Sequence, residues 1–137
     1  MKTHWDLDDQ KFIQVFESNQ LTEELFNHEA HLRLAWIYIR SYGVNLAIER
    51  TQSQLKSYVK FLGAEDIYNT TLTIAGVKVV NHFMLKAQSN NFSDFLLEFP
   101  RLKSNFKELI ESHYSVDIFN SPNAKAEYLQ PDMMPFD

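Results

Sequence analysis

Two histidines three residues apart, His28 and His31, stand in the stretch FNHEAHLRLAW between Phe26 and Trp36. Imidazole is the side chain that ligates metals, accepts hydrogen bonds from ligands and carries protons near neutral pH. The spacing of apolar residues around the pair predicts a helix with an N-cap at Thr22, acidic residues Glu23 and Glu24 at its positive end, and a left-handed cap at Gly43. On a helical wheel at about 100° per residue, Leu32, Ala35 and Ile39 fall within about 40° of His28. Glu24 lies near −40° and His31 near −60° on the same wheel, so all three polar groups are predicted to share the core-facing arc. Glu29 and Arg33 fall on the opposite side, as a surface i,i+4 pair. Phe26 and Ile37 fall outside the core arc and suggest a second packed face or a homodimer contact.

Three kinds of chemistry fit this arrangement. His28 and His31 could ligate a divalent metal such as Zn or Fe, with Glu24 as a further ligand or an orienting group. The pair could instead bind a small molecule or act as general acid and base in a metal-free pocket. Or both could be structural, bonded to neighbouring hydroxyls and carbonyls. A zincin protease is excluded, because HEAH lacks one residue of H-E-x-x-H and Glu29 is turned about 130° from the bisector of the histidines. A di-iron carboxylate site is also excluded, because it needs two Glu-x-x-His motifs. A metal would need a third ligand from another helix. His82 is the candidate taken, with His113 second and His4 set aside as part of a mobile end. Tyr68 and the threonines at 70, 71 and 73 open a later helix, where hydroxyls could cap it or face the pair.

The 137 residues make one domain. Three glycines and four prolines favour long helices over many short strands. The prediction is an all-α bundle of about five or six helices, with 1–7 and 129–137 as extended ends. Helices are expected from Asp8 or Asp9 to about Ser18, from Thr22 to Tyr42, from about Asn45 to Gly63, and from Asn69 to Gln88. A short helix capped by Ser93, another from Pro100 to His113, and a last turn capped by Ser121 follow. The formal charge of −5 without a Lys/Arg run argues against a nucleic-acid partner. With no cysteine, disulfides and thiolate chemistry are excluded. No signal-like or membrane-spanning run occurs, so a cytoplasmic protein away from membranes is expected.

The segments FNHEAHLRLAW, YNTTLT and AKAEYLQPDMMPF together resemble an uncharacterised family of small bacterial all-helical proteins with the pattern F-x-H-x-x-H-L-x-x-A-W. That resemblance spans most of the chain from Phe26 and carries no established activity. It marks His28, His31, Tyr68, Thr71, Pro131 and Asp132. The chain departs from the pattern at Asn69, where the family has His, which weakens a third metal ligand there. The expected function is therefore a polar or metal-binding pocket at Glu24, His28, His31, Tyr68 and Thr71, in a small-molecule enzyme or binder. The alternative is a non-catalytic helical module that binds another protein, with structural histidines.

Overall fold

A computed structural model of the protein describes residues 2–136. Among the described residues there are eight α-helices and no strand. Asp8 accepts from the Lys11 backbone N–H at 2.8 Å and starts α1, Asp9–Glu17. Helix α2 is His28–Tyr42 and begins five residues later than the sequence predicts, its cap at Asn27 rather than Thr22. Its cap is Asn27, whose side chain accepts from the Ala30 N–H at 2.9 Å, and Asn is at least as strong an N-cap as Thr. Residues 22–26 form a tight turn instead, which lets the adjacent Leu25 and Phe26 both be buried.

Gly43 joins α2 to α3, Val44–Leu62, with no intervening loop. Its φ of 83° suits glycine, but its ψ of 165° is extended rather than the left-handed helical cap expected. Its N–H still closes on the Ile39 carbonyl while its own carbonyl accepts from Ala47, so one residue ends one helix and begins the next. Gly63, at φ 71° and ψ 26°, is a left-handed cap of the expected kind. A 3-10 turn over Glu65–Ile67 then leads to α4, Thr70–Met84, capped by Asn69. Helices α2, α3 and α4 pack on one another and form the centre of the molecule.

The second half is more broken than its apolar pattern suggests. Asn91, not Ser93, caps α5, Phe92–Glu98. The helix expected from Pro100 to His113 is two pieces, α6, Arg101–Ser104, and α7, Phe106–Glu111, parted at Asn105. Ser121 caps α8, Pro122–Ala126, as predicted, and α8 packs on α4. Phe12, Phe16, Tyr38, Phe95, Leu102 and Ile110 are among the fully buried side chains. Phe26 and Ile37 are buried too, at 6% and 8% exposure, which removes the basis for a dimer contact at those residues.

Both ends are docked. Met1 and Asp137 lie outside the described residues, but the expected extended segment 1–7 contains a 3-10 turn, His4–Asp6, with a Thr3–Asp6 capping box. His4 is completely buried. At the other end the tail has no helix, yet Met133 N–H bonds to the His113 carbonyl and Phe136 stacks on the His113 ring. No helix is long and apolar enough to cross a membrane.

Candidate functional site

Helices α2, α3 and α4 do not close completely against each other. A cavity of about 410 Å³ remains between them, covered in part by the 3-10 turn at Ile67 and by Phe106 at the start of α7. That volume is within the range of small-molecule sites. Its wall is mainly hydrocarbon, for example Leu32 and Ala35 from α2, Val59 from α3, and Val77 and Val80 from α4. No Asp, Glu, Lys or Arg lines it.

The polar atoms on this wall sort into committed and uncommitted groups. Asn27 and Asn69 spend their side-chain oxygens on helix caps, and Asn69 Nδ2 also donates to the Ile118 carbonyl. Thr73 Oγ1 donates to the Asn69 carbonyl at 2.8 Å. His28 Nε2–H donates to the Leu102 carbonyl at 3.0 Å, and its ring packs 4.8 Å from Phe106. This bond ties α2 to α6.

His31 is different. Its Nδ1–H donates to the Asn27 carbonyl at 2.8 Å, and since a carbonyl only accepts, the tautomer is fixed. Nε2 is then a lone-pair acceptor with no hydrogen-bond partner among the described residues. The ring stacks on Phe26 with centroids 3.9 Å apart. His31 is exposed as a residue and its ring borders the cavity, yet the atoms packed around the imidazole still desolvate it in part. That desolvation, reinforced by nearby His28, holds its pKa below the usual imidazole value despite the opposing bond to Asn27. His31 is accordingly neutral near pH 7. A neutral imidazole of this tautomer can accept a hydrogen bond or take up a proton as a general base.

Tyr68 supplies the second open group. Its side chain lines the cavity and its hydroxyl is buried without a hydrogen-bond partner. Burial raises its pKa; the nearby hydroxyls of Thr73 and Thr70 act in the opposite sense but do not stand in hydrogen-bonding geometry. An orphaned buried hydroxyl costs on the order of 1–3 kcal/mol.

The structure thus brings His28, His31 and Tyr68 to one cavity, and leaves three other predicted site residues elsewhere. Glu24 lies in the turn before α2, exposed and away from the cavity, because the helix that would have turned it inward starts only at His28. Thr71 is fully buried but serves the tail: its hydroxyl donates to the Glu127 carbonyl and accepts from the Leu129 N–H. His82 is half-buried near the end of α4 with its ring edge-on to Phe83, and it does not line the cavity. A zinc or iron ion needs three or four donors here. Among the described residues no three His, Asp or Glu side chains gather. The residues present do not fit a metal centre at His28, His31 and His82.

Sequence reasoning missed a second polar cluster, on the other side of α2. Arg33 is buried, at 4% exposure, rather than paired with Glu29 on the surface. It donates to Asp9, to the His4 and Leu7 carbonyls, and to His4 Nδ1. Because Arg33 only donates, His4 carries its proton on Nε2 and gives it to Glu29 Oε1 at 2.7 Å. Trp5 Nε1–H also donates to Glu29, and the Lys103 ammonium sits 3.0 Å from its other oxygen. Burial pushes the Glu29 pKa up, but Lys103, His4 and Trp5 together outweigh it and hold the carboxyl low. Burial lowers the pKa of His4, against the pull of Glu29. Gly76 was missed as well: a glycine inside a helix costs about 1 kcal/mol relative to alanine, and here it lies on the cavity wall.

Comparison of the chain with protein-family models, with curated proteins and with solved structures finds no match in any of the three.

Proposed function

We propose that the protein binds a small, largely apolar molecule between α2, α3 and α4. The observation that carries this reading is a cavity of about 410 Å³ left between three helices, with no charged side chain on its wall. The neutral His31 nitrogen beside the same space supports the reading, as does the hydrocarbon lining, which is what desolvates an apolar guest.

A titration with the neutral dye N-phenylnaphthylamine tests it, since the dye fluoresces when it leaves water. Saturable fluorescence is expected with the natural protein, and a loss of it in Gly76→Leu, whose side chain projects into the cavity. Circular dichroism establishes that the variant is folded, and Gly76→Ala serves as the milder filling, since its Cβ would stand 3.5 Å from Phe106, an ordinary contact. Undiminished dye binding in a folded Gly76→Leu protein places the dye elsewhere and overturns the proposal.

A further inference from the structure

The N-terminal arm, residues 2–7, is fastened to the helices around one buried ring. Its only regular structure is the 3-10 turn His4–Asp6, and its attachments are few. Leu7 is buried, Trp5 stacks on Phe92 and donates to Glu29, and the Arg33 fork holds the His4 and Leu7 carbonyls. Helices α2, α3 and α4 pack directly on one another. A segment with so few contacts can open while the body of the protein stays folded.

The charged groups around His4 come from three helices. Glu29 and Arg33 face it from α2, at 2.7 Å from Nε2 and 3.2 Å from Nδ1. Lys103 of α6 holds the far oxygen of Glu29, and Asp9 of α1 holds the far side of the guanidinium. In its own turn, Asp6 closes the capping box with Thr3. A second proton on the ring would put an N–H on Nδ1, aimed at a guanidinium that only donates and keeps its charge. Two donors and two positive charges would then meet with no acceptor between them. Burial, with the charges of Arg33 and Lys103, outweighs the pull of Glu29 and holds the His4 pKa below 6.5. In an undocked arm the ring is hydrated and its ordinary value returns, so a fall in pH below 6.5 favours undocking. Glu29 stays ionised through that window, since its carboxyl is held below the ordinary 4.5. We propose that residues 2–7 form an acid-sensitive latch: neutral His4 docks the arm on α2, and protonated His4 releases it from a body that stays folded, uncovering Phe92 and the Arg33 guanidinium.

Nitrogen–proton correlation spectra of the full chain, recorded from about pH 7.5 to about pH 5 with the His4 ring followed in the same samples, test the latch. The Asp6 and Leu7 amides, bonded to Thr3 and His4 in the docked arm, and the Trp5 indole N–H should move to unstructured positions. Their midpoint should lie below pH 6.5 and coincide with protonation of the His4 ring, while the amides of α2, α3 and α4 keep their places. His4→Gln should keep the arm docked over the same range, which separates His4 from His31, whose pKa is lowered too. Arm signals that stay put throughout, or that move together with those of α2, α3 and α4, overturn the latch, as does an arm transition that persists in folded His4→Gln. If His4→Gln does not fold, the natural protein decides: coincidence of ring protonation and arm release supports the latch, and a mismatch between them overturns it.

Discussion

Helix α2 carries polar groups on two sides, and the two sides are in opposite states of completion. Toward the N-terminal arm, His4, Glu29 and Arg33 are joined by short hydrogen bonds, and both nitrogens of the His4 ring are occupied. Toward α3 and α4, each cavity histidine has one ring nitrogen bonded to a carbonyl, and the nearby Tyr68 hydroxyl is orphaned. One side resembles a finished structural joint, the other a site awaiting a partner. Residue type does not separate them, since each side has imidazole among its groups. What separates them is whether another piece of chain arrives to satisfy the groups: residues 4–9 do so on one side, and an open volume stands on the other.

The contrast can be broken most forcefully at Arg33. Arg33→Met should destabilise the protein by about 3–5 kcal/mol, because it strands the His4 and Leu7 carbonyls and His4 Nδ1 in a buried setting. Arg33→Lys should recover little of this, since a point ammonium cannot reproduce the fork. Denaturant unfolding measures both, and a loss under about 1 kcal/mol for Arg33→Met would show that the joint is not structural.

Acid should weaken the same joint. The folded-state pKa of His4 is lowered from 6.5, so folding favours its neutral form. Its contribution is fully present above about pH 6.5 and is lost as pH falls through the folded value. His31 acts with the same sign. Melting midpoints should therefore fall as pH is lowered below 6.5, before the carboxylates titrate. His4→Gln, which can still donate to Glu29 and accept from Arg33, should flatten that slope; an unchanged slope would assign it to other groups.

A matched pair of hydroxyl deletions sharpens the comparison. The Tyr58 hydroxyl donates to the Leu21 carbonyl at 2.7 Å, so Tyr58→Phe should cost about 1 kcal/mol. Tyr68→Phe removes an unpartnered hydroxyl and should be neutral or slightly stabilising in the ligand-free protein. Equal losses from the two would mean that Tyr68 has a partner. The smallest effect belongs to Glu24→Gln, within about 0.5 kcal/mol and without effect on probe binding, since the side chain is exposed and outside the cavity.

Much of the backbone was legible beforehand because its signals are local. Asp8, Gly63 and Ser121 cap helices where capping chemistry says they should. The start of α2 was misplaced by setting its cap at Thr22, where Asn27 supplies it, and that placement carried Glu24 onto a helix to which it does not belong. Helical period put His28 and His31 on one side of α2, toward the cavity. It also put Arg33 on the opposite side, but that side is covered by the N-terminal arm, which no periodicity within α2 could reveal. Thr71 was read as a pocket residue because the family resemblance marks it; its place on α4 turns it to the tail instead.

The chain's own pattern of apolar spacing, caps and breakers therefore determined an all-helical domain and the side of α2 on which the two imidazoles sit, because these follow from backbone geometry over a few residues. Tertiary structure decided the rest. Whether a buried polar atom is satisfied depends on segments tens of residues away, and whether a hole remains depends on how three helices fail to interlock around Gly76 and Phe106. Those are sums over distant contacts, and short-range spacing carries no record of them.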